Sequence, residues 1–381
     1  MAGAFLLSLA RGQQALGHEV LAVAPHAPGC ALDDVVDGVR VRRYRYGTDD
    51  QETLAYQGTM HEQVLRSWPA RVRLLALLRS ARSAVAAAAA AFMPDVLHVH
   101  WWFPGGLAVW PAVVGRAPWV LTSHGTDLFL LDRFRAARLI AGPMFRSAGQ
   151  VTVISEPLVH RVVTLGVPRS RITVVPMPLD DGIALAPVPG ASVTRLLFVG
   201  RLVERKGAEF TLRALAALRA ARRSATLAIV GDGPERSSLE TLARKLGVVD
   251  AVTFTGLLPP DEVGGWYARS DVLLLPAVTD WKGEQEGFGM VLVEAMRAGL
   301  PVVASRSGGI TDVVRDGETG LLVPERDASA VTAAITRLID SPALARRLGD
   351  AGQAAVRERF APDAIARVFD GVYRRAVSRD A

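Results

Sequence analysis

Cysteine is all but missing from this chain, and that scarcity narrows the field at once. Cys30 is the single cysteine in 381 residues, so no internal disulfide framework can hold the fold, and a reducing compartment such as the cytoplasm is expected. Lysine is scarce too: Lys206, Lys245 and Lys282 are three of 44 basic residues, the mark of an arginine-rich compositional bias. The net charge of +6 and pI near 9.9 suit anionic substrates or an anionic membrane surface as well as bias. Neither a basic–aromatic pattern nor a Cys/His spacing points to nucleic acid, which is not expected as a partner. No apolar run approaches the ~20 residues of a membrane span, and the alanine tract 84–92 reads as a helix. The short apolar run Ala4–Ala10 has no basic region before it and does not read as a signal peptide.

Several catalytic signatures are also absent. The chain has no Gly-Lys-Ser/Thr phosphate loop, no Gly-x-Gly-x-x-Gly dinucleotide fingerprint and no Gly-x-Ser-x-Gly elbow. It has no Asp-x-Asp pair of the kind that holds a divalent ion on a sugar nucleotide. What remains is a chain too long for one core, half of it hydrophobic, for which two domains are the natural expectation.

The second half alternates short apolar runs with amphipathic ones. Strands are expected at Arg195–Val199, Ala225–Val230, Ala251–Phe254, Asp271–Leu275 and Leu300–Ala304, with helices near 207–221, 234–246, 260–269 and 288–298. That rhythm means a parallel sheet covered on both faces. The first half repeats it less cleanly, with strands at Glu19–Ala24, Val96–His100, Trp119–Thr122 and Val151–Ile154. Prolines and glycines between Val174 and Gly190 place the domain boundary there. The expected division is 1–182, 191–360 and an amphipathic tail, 361–381, that crosses back to the first domain. Two doubly wound sheets facing a cleft would bind ligands beyond their C-terminal strand ends.

The stretch Glu286-Gly287-Phe288-Gly289-Met290-Val291-Leu292-Val293-Glu294 joins two carboxylates to a helix start. Glycines there leave backbone N–H groups uncovered, which is how a helix N-terminus holds a phosphate. If the whole stretch were helical, the two carboxylates would lie roughly 12 Å apart and about 80° around the axis. They could then grip hydroxyls at both ends of a nucleotide-sugar; the competing reading is a solvated amphipathic helix. Arg201 and Lys206 follow the strand ending at Val199, where a forked guanidinium and a mobile ammonium suit a diphosphate. Gly308 and Gly309 form a second glycine turn at a strand end. Asp232, in Gly231-Asp232-Gly233-Pro234, reads as turn and cap chemistry. In the first half, His124 follows a strand, next to Gly125 and near Asp127, and could hydrogen-bond a substrate. His98, His100, Trp101 and Trp102 lack a third metal ligand at suitable spacing and read as strand-end packing that lines the cleft. Arg66, Arg71, Arg73, Arg79 and Arg82 punctuate a Leu/Ala-rich helical region, either a solvated face or a dock on an anionic membrane.

Together these segments resemble the retaining glycosyltransferases of family four, which have the two-Rossmann GT-B fold. The matching pieces are Gly17-His18-Glu19-Val20, His124-Gly125-Thr126-Asp127, Gly200-Arg201-Leu202 with Lys206-Gly207, and Gly231-Asp232-Gly233-Pro234. Glu286 through Glu294, Ala298–Ala304, Gly308-Gly309 and Gly317–Val323 complete the series in family order. The resemblance implies metal-independent transfer from a UDP- or GDP-linked sugar to a sugar, lipid-linked or small-molecule acceptor. Arg201, Lys206, Gly287, Phe288 and Gly289 would meet the diphosphate, with Gly308 and Gly309 nearby. Glu294 would take the ribose, Glu286 the donor-sugar hydroxyls, and Gly256 and Leu257 the base. His124 would contact the sugar near the reacting centre, with Asp127 and Trp101 lining the cleft. A cytoplasmic enzyme at the inner face of the membrane is the implied setting. Family members open with a strand and a Gly-Gly loop that would fall at or before Met1, so the first sheet is expected to lack its central strand. A sugar-nucleotide epimerase and a non-catalytic sugar-nucleotide-binding subunit are the alternatives.

Overall fold

The computed structural model describes residues 4–56, 60–113, 117–179 and 194–380. The chain divides into two compact units, Met1–Pro178 with Pro362–Ala381, and Leu179–Ala361. Of the stretch from Val174 to Gly190, where the sequence places the domain boundary, residues 180–190 lie outside the described residues.

Unit 1 contains strands β1 (Leu21–Pro25), β2 (Asp33–Val36), β3 (Val39–Tyr44), β4 (Leu97–His100), β5 (Trp119–Ser123), β6 (Gln150–Val153) and β7 (Ile172–Val174). They form two sheets, ordered β1-β3-β2 and β4-β5-β6-β7. All pairs are parallel except the β2–β3 hairpin. Asp37 and Gly38 turn that hairpin with φ of 46° and 82°, the left-handed pair of a type I′ turn. β1 and β4 each have one edge without a strand partner among the described residues. Both are only partly buried along their length, whereas β5 and β6 are buried throughout. The C-terminal helix Pro362–Asp380 lays Ile365, Phe369, Val372 and Ala376 against Leu9, Val120 and Val175. A second cluster gathers Tyr46, Leu54, Ala70 and Leu77 beneath the helix Trp68–Phe92.

Unit 2 is a single six-stranded sheet made of β8 (Arg195–Val199), β9 (Thr226–Val230), β10 (Val252–Gly256), β11 (Val272–Leu275), β12 (Val302–Ser305) and β13 (Leu321–Val323). Its order is β10-β9-β8-β11-β12-β13, and every pair is parallel. The apolar runs in β8, β9, β11 and β12 are buried because helices cover both faces of such a sheet. From β8 the chain winds one way to β10, and from β11 the other way to β13. The reversal puts the loops after β8 and β11 side by side, which is where open α/β sheets bind ligands.

Candidate active site

In unit 2 every expected donor residue lies at or beyond the C-terminal end of a strand. After β8 come Arg201 and Lys206; after β11 come Glu286 through Glu294. The reversal of strand order brings the two loops together, and Lys206 Nζ sits 2.6 Å from Glu286 Oε2. Burial pushes the Glu286 carboxyl up, but the Lys206 ammonium, Arg205 and the Phe288 amide together hold it below the usual carboxylate range. Glu286 is therefore ionised. Arg201 follows the same strand and is exposed, with no ion-pair partner among the described residues.

The helix expected near 288–298 starts between the two glutamates, and the case in which the whole stretch from Glu286 to Glu294 is helical does not arise. The helix begins at Met290, and its N-cap Gly289, at φ 88°, has no side chain to bond the first amides. Glu286 lies in the loop before it, so the two carboxylates do not share a helix face. Uncapped amides are left at a positive helix end. Phe288 is 2% exposed and meets Phe360 edge-on at 5.7 Å, so its ring packs in the core while its amide holds the Glu286 carboxylate.

Gly308 and Gly309 build the site from behind. At φ 49°, a Cβ on Gly308 would stand 2.2 Å from the Glu286 carbonyl, and the Gly309 N–H donates to that same carbonyl at 2.9 Å. This turn braces the Glu286 loop. Thr279 N donates to Glu325 Oε2 at 2.7 Å and Arg205 pairs with Glu284 at 2.6 Å, which anchors the rest of the loop after β11. Farther along the sheet, Gly256 accepts from Gly231 N at 3.0 Å, and Leu257 stands 80% exposed. Asp232 accepts from Gly233 N and pairs with Arg236, the turn chemistry read from its sequence. Tyr267, which no sequence motif singles out, donates to Glu294 Oε2 at 2.6 Å.

In unit 1, His124 follows β5 and its ring lies 4.4 Å from that of Trp101. His124 Nε2 is 3.1 Å from His100 Nδ1, while its own Nδ1 is buried without a partner. His98 stacks 4.0 Å from His100 and bridges Tyr373 Oη at 2.8 Å and Thr122 Oγ1 at 2.6 Å. Burial pushes His100 down to about 3, and burial with the neighbouring rings takes His98 and His124 well below the usual value. All three are neutral and can offer hydrogen bonds but no positive charge.

Asp127, expected as cleft lining, is 2% exposed and accepts from His124 N and Trp102 N at 3.0 Å each. Burial lifts its pKa to about 6 against the pull of those donors and the Ser123 hydroxyl. Its work is to hold the loop that carries His124.

One group of metal-type ligands gathers among the described residues: His26, Asp49 and Glu52. His26 Nδ1 and Glu52 already bond to each other, and Glu52 also accepts from Tyr46 N. Arg45 pairs with Asp49 and lies 3.7 Å from Glu52. That guanidinium supplies the charge a metal would bring.

Residues 2–178 match the family model for the glycosyl transferase 4-like domain, and residues 192–355 match the model for glycosyl transferases group 1. The D-inositol 3-phosphate glycosyltransferase of Acidothermus cellulolyticus is 34% identical over 320 residues, 74% of this chain and 68% of that protein. A GDP-mannose-dependent alpha-(1-6)-phosphatidylinositol monomannoside mannosyltransferase of Mycolicibacterium smegmatis is 42% identical over 156 residues, a match spanning 41% of either chain. The solved sucrose-phosphate synthase of Thermosynechococcus elongatus shares the fold, with a TM-score of 0.77 at 23% identity over 100% of this chain and 94% of that one.

Proposed function

The chain belongs to the GT-B glycosyltransferases of the group 1 and 4-like families, and we propose that it transfers a sugar from a nucleoside diphosphate to an acceptor with retained anomeric configuration. The observation that carries this reading is the meeting of Lys206 and Glu286 at 2.6 Å where the strand order reverses, with the exposed Arg201 in the same loop as Lys206. A leaving diphosphate needs its developing negative charge stabilised. Two cations and the uncapped amides at Gly289–Val291 provide that without a metal. Lys206 would share its charge between Glu286 and the phosphate, and Glu286 would accept from donor-sugar hydroxyls. Glu294 would take the ribose diol, and the base would lie against Gly256 and Leu257. His124, held neutral, would hydrogen-bond a substrate hydroxyl, with the Trp101 ring tilted against its own. Family membership weighs against the epimerase and the non-catalytic subunit.

An anionic membrane is the proposed second contact, favoured by one surface. The helix Trp68–Phe92 contains no acidic residue. Leu65, Trp68, Val72 and Leu75 stand 40%, 72%, 53% and 60% exposed on it and just before it, beside exposed Arg66, Arg79 and Arg82. The helix is long and apolar enough to cross a membrane by length and composition alone, although arginines interrupt its apolar run. Its arginines and its packing over Ala70 and Leu77 suit a helix that lies in the interface instead. Arg71 is committed to the Val64 and Leu65 carbonyls, and Arg73 to Thr53. A lipid-linked acceptor fits this surface, and a cytoplasmic face fits the lone cysteine. Screening UDP-, GDP- and ADP-sugars for hydrolysis tests the assignment: turnover of one donor supports it, and binding of none contradicts it.

A further inference from the structure

Glu294 lies one helical turn into Met290–Arg297, and a carboxylate there is useful to a ribose only if it is aimed. The residue that aims it comes from another helix. Tyr267 sits on Pro260–Ala268, its side chain fully buried, and its hydroxyl donates to Glu294 Oε2 at 2.6 Å. Burial first, and the nearby Glu294 charge second, raise the phenol far above its usual value, so it always keeps its proton and always donates. A carboxylate offers about four lone-pair sites, so the bond from Tyr267 takes up one of them and is compatible with accepting from ribose hydroxyls.

We propose that Tyr267 is a positioning residue for nucleotide recognition. It locks the Glu294 carboxylate in the orientation that accepts from the 2′- and 3′-hydroxyls of the donor ribose. The proposal rests on the ribose role of Glu294 given above. A glutamate free to rotate would have to be ordered during binding, and preorganisation removes that cost.

The test compares dissociation constants for a ribonucleoside diphosphate and its 2′-deoxy counterpart, using UDP and dUDP or GDP and dGDP according to the base accepted. Wild type is expected to favour the ribo form, and Glu294→Ala to lose that preference. Tyr267→Phe keeps the ring and removes only the hydroxyl. It is expected to weaken ribo binding about tenfold, to shrink the ribo/deoxy ratio towards that of Glu294→Ala, and to leave kcat at saturating donor nearly unchanged. Adding Tyr267→Phe to Glu294→Ala is expected to cost no further affinity. Equal losses for ribo and deoxy ligands in Tyr267→Phe, or a further loss in the double variant, would reduce Tyr267 to a structural part. An unchanged ratio in Glu294→Ala would overturn the ribose reading itself, and the proposal with it.

Discussion

Lys206 and Glu286 are 80 positions apart in the chain and 2.6 Å apart in space. Strands β8 and β11 are neighbours in the sheet, and each residue lies in the loop that leaves its strand. The pair is largely enclosed, with side chains 18% and 11% exposed. Breaking such a pair from one side leaves a charge without its partner.

Glu286→Ala is therefore expected to lower the stability of unit 2 by about 3 kcal/mol, the low end for a broken buried pair. A nucleoside diphosphate supplies the missing anion, so it should raise the melting temperature of this variant by more than that of wild type. Melting curves with and without the nucleotide check this. Equal shifts in the two proteins would mean that the phosphate does not reach Lys206.

Acid should weaken unit 1. The buried His98, His100 and His124 are held below their unfolded value of 6.5, His100 as low as about 3. Their contribution is present above pH 6.5 and is lost as the pH falls towards the folded values, by at most about 1.4 kcal/mol per pH unit for each. Asp127, raised from 3.8 to about 6, acts in the opposite sense: its contribution is present below 3.8 and lost as the pH rises through 6. Three histidines outweigh one aspartate, so denaturant midpoints should fall between pH 7 and pH 5, and His100→Gln should flatten that fall. A midpoint independent of pH would contradict the neutral histidine cluster.

The exposed face of Trp68–Phe92 should make the protein float with vesicles containing anionic phospholipid and not with neutral ones. Each arginine at such a surface is worth about 1 kcal/mol, so Arg79→Glu with Arg82→Glu should weaken binding at least about thirtyfold. Equal flotation with neutral and anionic vesicles would remove the electrostatic contact.

How far the sequence could be read depends on burial. Strands β8 to β12 were legible to within two residues: the apolar runs of β8, β9, β11 and β12 are hidden on both faces, and β10, only partly buried, keeps its place in the strand–helix alternation. Strand β13 went unseen: Leu321–Val323 has three residues, too few for a period. In β3, the charged positions Arg40, Arg42 and Arg43 masked a strand that the Asp37-Gly38 turn could have announced. The residues proposed to meet the donor are visible in the sequence as glycines and charges at strand ends, where a parallel sheet sends its ligand loops. Their partners are not. Tyr267 looks like any core aromatic on an amphipathic helix, and its bond to Glu294 exists only once helices Pro260–Ala268 and Met290–Arg297 are packed. Asp127 looked available because an acidic residue near a histidine suggests chemistry, yet backbone N–H groups of Trp102 and His124 claim its oxygens.

The central claim is that Lys206 stabilises the leaving diphosphate, and the kcat/KM of purified Lys206→Ala on the accepted donor tests it most directly. Loss of one preorganised donor to a developing anion costs about 2–4 kcal/mol, so the account predicts a fall of about a hundredfold to a thousandfold with the fold intact by melting. Unchanged turnover in a folded Lys206→Ala enzyme would contradict it.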